Sequence, residues 1–436
     1  MKKTVLSTIL AVMTLGLIAC SKTENEEISS ELNEQESVSV EEETTENVTE
    51  EVVLPEVTTL TIKVWVPWNE VDSGWIDKRC EDFKALHPEW DLTFVTEVKE
   101  IMDAPKDVKA DPANGAAVYA FRYEELSDLI SDKNIVPYSS ESANIIKNDN
   151  LENLVNTVTV DDSVYGAVYT SNTWFMYYDK RVYTEEDIKS LDVMMEKAPV
   201  SFPLSNAWYM YGFYEGNGCS LQGGVNNPKL GMDISGQKAV DVTKYLLDNV
   251  KSNKLILDDS SGNMWKKIVD GSVGAMFSGS WEYINLDSLG ENLGIAQLPT
   301  YNLNGKEIQM YSFMTSRAFG LNPHSEAYKL NSKIVEEFAL FLCNPESQLT
   351  RYEMARVTPA SKELVESEKM LSDELVQAQN NTVKNTSTLL PYNNKFNNRY
   401  WTYMAEFLDH FNNGGIDDSN IETRIEELND ALNRGY

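Results

Sequence analysis

Residues 275 to 283 read Ala-Met-Phe-Ser-Gly-Ser-Trp-Glu-Tyr, so an apolar run ends in three small residues and the largest side chain follows at once. Small residues let the backbone turn tightly and leave Trp281 uncrowded on one side. A core indole has no need of that approach, whereas one standing in a cleft does. Three other stretches set a flat ring beside polar groups. Trp208 follows Ser205-Asn206, Trp401 follows Arg399-Tyr400, and Trp68 stands in Pro67-Trp68-Asn69-Glu70. The chemistry these types can do together is stacking and hydrogen bonding: a ring offers its face, while amides and carboxylates engage hydroxyls. Plainer roles compete. Trp401, Met404, Leu408 and Phe411 fall on one helical stripe, the usual mark of burial. Most of the aromatic run around Trp208 must be core, and Glu282 reads as a solvated first-turn acid.

Positioning such groups takes a scaffold, and the spacing supplies one. Leu60 to Val66 alternates as a strand, and Trp75, Ile76, Cys80 and Phe83 recur at helical spacing before His87-Pro88. Asp91 to Val98 is a second strand, so the three segments form a parallel crossover unit of an open α/β sheet. Ligands bind outside the carboxyl ends of such strands, and here that end carries Trp68, Asn69 and Glu70. Gly115 to Phe121 predicts a third strand, with Arg122 and Tyr123 at its end and helical periodicity after it. Val164 to Asp179 is a long aromatic-rich extended stretch, able to pass from one lobe to another. Thr184 and Asp187 have the spacing of a capping box that starts a helix. Helices are predicted around 236–247 and 264–269, the second closed by Gly271. Asn344-Pro345 marks another helix start. There are no internal repeats.

The termini and composition set the class. Met1-Lys2-Lys3, an apolar run from Val5 to Ala19 and then Cys20 form a secretion signal too short for a spanning helix. Residues 21–57 hold thirteen glutamates, one lysine and no aromatic residue, a composition that stays disordered. As a coil this tether separates its ends by about 35 Å. The net charge is −32; removing two lysines of the signal and the −12 of the tether leaves −22 on residues 58–436. An acidic body argues against nucleic acid and against anionic ligands as a class, and no basic, multi-arginine cleft is visible. Besides Cys20 there are Cys80, Cys219 and Cys343, which allow one disulfide but no framework. The three histidines have no metal-ligand spacing, so no metal and no cofactor is expected. About 380 residues suit two lobes.

In order along the chain, these segments resemble a known family. Leu17-Ile18-Ala19-Cys20 resembles the lipobox of bacterial lipoproteins, with Cys20 as the lipidated residue. Ile268 to Trp281 (IVDGSVGAMFSGSW), Met176 to Lys180 (MYYDK), Gly294 to Thr300 (GIAQLPT) and Arg399 to Trp401 (RYW) resemble motifs of the extracellular solute-binding proteins of sugar importers, the maltose-binding protein family. The resemblance covers nearly all of residues 58–436. It implies a two-lobed α/β fold of the periplasmic binding-protein type, each lobe an open sheet flanked by helices and joined by crossing hinge strands. Residues 1–20 would be the signal peptide and 21–57 the tether. Residues 58–167 and 315–365 would form lobe 1, and 168–314 and 366–436 lobe 2.

The same resemblance implies a monomeric, non-enzymatic receptor, lipid-anchored on the extracellular face of the cell membrane, or periplasmic where there is an outer membrane. It would deliver a neutral sugar or oligosaccharide to the permease of an ABC importer, which reads closure of the cleft. Trp281 and Trp401 match the family's stacking positions, and Trp208 its aromatic contact with Asn206 in place of an acid. Asn69 and Glu70 stand where maltose binders carry an acid and a lysine, and Asn172 where they carry a glutamate. The family's tryptophan after the third strand falls on Ala120 and its acid and arginine on Tyr123 and Glu124; Phe121, Arg122 and Tyr123 are the nearby substitutes. These departures weaken the case for maltose itself. A surface glycoside hydrolase, with carboxyl groups drawn from Glu70, Glu124 and Glu282, and a same-fold receptor for a non-sugar solute are the alternatives.

Overall fold

The computed structural model describes residues 58–221, 231–258, 263–391 and 394–434. The signal, Cys20 and the tether lie outside the described residues.

The first crossover unit is present as read. Strand β1 (Thr59–Val66) pairs in parallel with β2 (Asp91–Val98) along its whole length, and the helix Trp75–Leu86 connects them. β3 (Val118–Arg122) lies on the other side of β1. It begins later than expected, at Val118, and its first four residues are buried. A strand covered on both faces has no alternation to mark its start. The stretch after it opens with a single 3-10 turn, Tyr123–Glu125, before the helix Leu126–Ser131.

A two-residue hairpin, β4 (Thr159–Val160) and β5 (Ser163–Val164), precedes the extended stretch, which divides into two strands. β6 (Ala167–Asn172) belongs to the first sheet and β7 (Phe175–Asp179) to a second. The second sheet continues with β8 (Val200–Phe202), β9 (Leu255–Leu257), β10 (Ala275–Ser278) and β11 (Leu293–Ala296), ordered β11-β7-β10-β8-β9. A separate hairpin, β12 (Thr300–Leu303) with β13 (Lys306–Gln309), leads into β14 (Ser312–Leu321). β14 returns to the first sheet, pairing with β3, β6 and β15 (Ser387–Leu389).

Each sheet has its own buried core. Residues between Leu60 and Tyr169, and between Met314 and Ala360, make one apolar cluster around the first sheet. The second sheet's clusters draw on Trp174 to Phe313 and on Tyr352 to Leu432, with Tyr123 the one contribution from the chain before Trp174. The chain passes between the cores at β6–β7 and at the start of β14, where Phe313 belongs to the second core and Met314 to the first.

Local signals behave as their chemistry dictates. Asn344 caps the helix Pro345–Ala355 by accepting from Ser347 N, with proline in the first turn. Thr184 and Asp187 bond reciprocally, Thr184 N to Asp187 Oδ2 at 2.8 Å and Asp187 N to Thr184 Oγ1 at 3.3 Å. That box closes a 3-10 turn, Asp187–Lys189, and the α-helix begins only at Leu191. Cys80, Cys219 and Cys343 are buried free thiols, so the allowed disulfide is absent among the described residues. No helix there is long and apolar enough to cross a membrane.

Candidate functional site

The C-terminal ends of β1, β2 and β3 meet the N-terminal ends of the helix Ala207–Gly216 and of one 3-10 segment, and the inner turns of the helix Asn394–Asn412, around a cavity of about 650 Å³. That is the size range of a site for a drug-sized ligand. Trp68, on the helical turn Trp68–Asp72 that follows β1, is 51% exposed. Trp281, second in the 3-10 segment Ser280–Asn292 after β10, is 38% exposed. Trp208 and Trp401 are partly buried, their rings stacked with centroids 6.4 Å apart. Four tryptophans from four separate segments therefore line one cavity.

Local chemistry explains their placement. Asn206 caps the helix Ala207–Gly216, its side chain accepting from Trp208 N at 2.9 Å, which fixes Trp208 in the first turn facing the cavity. Trp401 opens a stripe whose later members Met404, Leu408 and Phe411 are buried. Core packing of that stripe, with Phe396 and Tyr400 before it, positions the helix Asn394–Asn412, and Trp401, its eighth residue, is left partly open to the cavity. The two readings of this residue are compatible.

Asn69, Arg122, Asn172 and Asn206 also line the cavity. Glu70 does not. It is 1% exposed, its carboxylate 3.5 Å from a guanidinium nitrogen of buried Arg351, whose own plane lies over Trp75. Residues two apart on a helical turn face opposite ways, so Trp68 enters the cavity while Glu70 turns under it. Burial pushes the Glu70 carboxyl above its usual range, opposed by Arg351 and Arg317. Tyr123 is also displaced from the expected role: its ring is buried in the second sheet's core and does not line the cavity. Glu282, expected in solvent, is buried with its carboxyl pushed up, bonded by Asn285 Nδ2 at 3.0 Å.

The lining also holds Glu100, Met102, Glu124, Tyr209, Ile284, Arg317 and Arg356. Three arginines thus reach the cavity, contrary to the expectation that none would cluster. They are accompanied. Arg122 pairs through Nε and Nη2 with Glu125. Arg317 donates from Nε and Nη2 to Asn172 Oδ1 at 3.3 and 3.1 Å. Glu100 and Glu124 face the same space. Burial raises the Glu125 carboxyl to about 6, Arg122 pulling the other way. Arg122 and Arg317 are direct cross-strand neighbours on β3 and β14, at an irregularity in the β14–β6 register. Bulges of this kind re-aim a side chain. One signal was available in sequence. Glu100 sits just past the carboxyl end of β2, whereas the incomplete burial that marks Arg317 in its ten-residue strand shows only in the structure. Arg356 gives none; it ends its helix with φ 55°.

This arrangement offers flat faces with donors and acceptors interleaved. Among the described residues no cluster of histidine, cysteine and carboxylate side chains suits a metal ion.

The family of bacterial extracellular solute-binding proteins matches residues 78–378. The chain belongs to that family. This solute-binding protein is 34% identical to a chain solved with acarbose, with a TM-score of 0.81, covering 86% of this chain and 99% of that one. A maltodextrin-binding protein from L. casei BL23, solved without ligand, is 24% identical with a TM-score of 0.76 over 86% of this chain and all of that one. The galactooligosaccharide-binding protein of Bacillus subtilis (strain 168) is 24% identical over 237 residues, 50% of this chain and 54% of that protein. The chain thus spans about half the length of that curated relative. Its fold is the mixed α/β, two-lobed fold of the maltose-binding-protein type.

Proposed function

We propose that this solute-binding protein is a lipid-anchored extracellular receptor. It captures a neutral oligosaccharide between two lobes and hands it to the permease of an ABC importer. The observation that carries the reading is the cavity itself, lined by four tryptophans with asparagines, arginines and glutamates interleaved. A sugar ring has an apolar C–H face and a rim of hydroxyls that both give and accept hydrogen bonds. Platforms serve the first, and the mixed charges serve the second. A micromolar ligand needs about −8 kcal/mol. One aromatic contact supplies on the order of 1 kcal/mol, and one hydrogen bond to a charged group about 1.5–3, so several of each are required. The relatives named for maltodextrin and galactooligosaccharide support the ligand class.

In this reading lobe 1 comprises residues 58–172 and 315–365 and lobe 2 residues 173–314 and 366–436, the first boundary moved from 167 to the β6–β7 junction because Val168 and Tyr169 pack in the first core; the separate cores support the division. Trp281, Trp208, Trp401 and Trp68 are the platforms, with Asn69, Arg122, Asn172 and Asn206 as polar partners. Cys20 carries the lipid and residues 21–57 the tether. The protein acts as a monomer and is not an enzyme.

Calorimetric titration of purified protein with maltotetraose, a galactooligosaccharide, acarbose and glucuronate oligosaccharides tests the reading. At least one neutral oligosaccharide binds at micromolar affinity or better, and the same mixtures show no new reducing ends over a day. Preference for the anionic set, or turnover, contradicts it.

A further inference from the structure

We propose that Gly279 is a positioning residue for Trp281, a seat that leaves the indole with one usable face; this rests on the reading of Trp281 as a platform. A Cβ placed at Gly279 would lie 2.1, 2.2 and 2.5 Å from three consecutive atoms of the six-membered ring, Cζ3, Cη2 and Cε3. Distances so similar to three neighbouring atoms put that carbon over the face of the ring, not beyond its edge. The indole therefore lies flat on glycine backbone. Gly279 has φ −91° and ψ −175°, extended backbone that any residue adopts, so conformation does not demand glycine here. The ring does.

The seat is itself fixed. The Gly279 carbonyl accepts the hydroxyl of buried Tyr177 at 2.9 Å, and the preceding residues are held in β10 between β7 and β8. From the first sheet, the Arg317 guanidinium carbon stands 5.4 Å from the Trp281 ring centroid, within cation–π range, while Asn172 holds that arginine from behind. With one face pressed on glycine, the ring has a single face left for a ligand, and the Arg317 guanidinium over the ring stands close to any sugar stacked there. A sugar then stacks from one side only, and that side determines how its hydroxyl rim meets the polar groups.

The test is Gly279→Ala in the full chain. The clashing atoms belong to a side chain that can swing away, so the fold survives and the ring is expelled. Acrylamide quenching assigned to Trp281, taken as the difference from the matching Trp281→Phe protein, rises in Gly279→Ala. Maltotetraose affinity falls about fivefold or more, the range of one lost aromatic contact. The double variant Gly279→Ala/Trp281→Ala binds as weakly as Trp281→Ala alone, because the glycine acts through the ring. Unchanged quenching, or additive losses, overturns the inference. If quenching rises while affinity holds, the seat stands and the platform reading falls. If Gly279→Ala fails to fold, Trp281→Ala restores it by removing the clash; a double variant that still fails to fold overturns the inference.

Discussion

Glu125 shows how a residue outside the cavity sets the chemistry inside it. Its carboxyl, ordinarily at 4.5, is raised to about 6 by burial, with Arg122 opposing. Between those values the folded protein holds a proton that the unfolded chain has released. The stability attributable to this group therefore falls as pH rises from 4.5 to about 6 and is level above. Denaturant unfolding of wild type and Glu125→Gln across pH 4.5–7 checks this: the wild-type stability minus that of the variant declines over the window, and parallel profiles would refute it. Glu70 marks the limit of reading one residue at a time. Its place beside Trp68 suggested a shared role, yet the chain turns helical at Pro67, and a helical turn sends neighbours two apart in opposite directions. In a five-residue helix, no periodicity in the sequence tells which of them enters the cavity.

At the scale of elements, the helix Ala207–Gly216 carries Trp208 and Tyr209 to the cavity and must be seated closely to do so. Two glycines on one face permit it. A Cβ at Gly212 would lie 1.9 Å from the Tyr311 carbonyl oxygen, and one at Gly216 2.0 Å from that of Gln309. Both obstacles are backbone and cannot swing aside. Gly212→Ala thus lowers stability by about 1–3 kcal/mol, the cost of overpacking. Helix propensity alone predicts a gain of about 1 kcal/mol. Chemical denaturation decides between them, and a more stable variant would show the packing account to be wrong.

Legibility varied among elements for a similar reason. β1 announced itself by alternation, whereas β3 and β14 are buried on both faces. β14 was missed as a contributor to the site because Arg317 reaches the cavity through a register irregularity that only the partner strands create. The platforms were legible, since a tryptophan after small or capping residues carries its own local signal. Arg122 was legible from its place at the end of the third strand, whereas Arg317 was not, because tertiary pairing with Asn172 is what brings it in.

Across the whole molecule, two cores are joined at β6–β7 and at the start of β14, the layout that the proposed closure on a ligand requires. No disulfide links the two cores among the described residues: Cys80, Cys219 and Cys343 are free, and burial pushes the Cys219 and Cys343 thiols up to about 12. Thiols so protonated and enclosed resist oxidation. The thermal midpoint is accordingly the same with and without dithiothreitol; a fall of several degrees on reduction would reveal a disulfide this fold does not contain. The most direct measurement is a crystal structure of the body, residues 58–436, grown with maltotetraose. The account predicts intact sugar in the cavity between the lobes, with one ring lying against the open face of Trp281 and others near Trp68 or the Trp208–Trp401 pair. Sugar bound elsewhere, cleaved, or held without any tryptophan contact would contradict it.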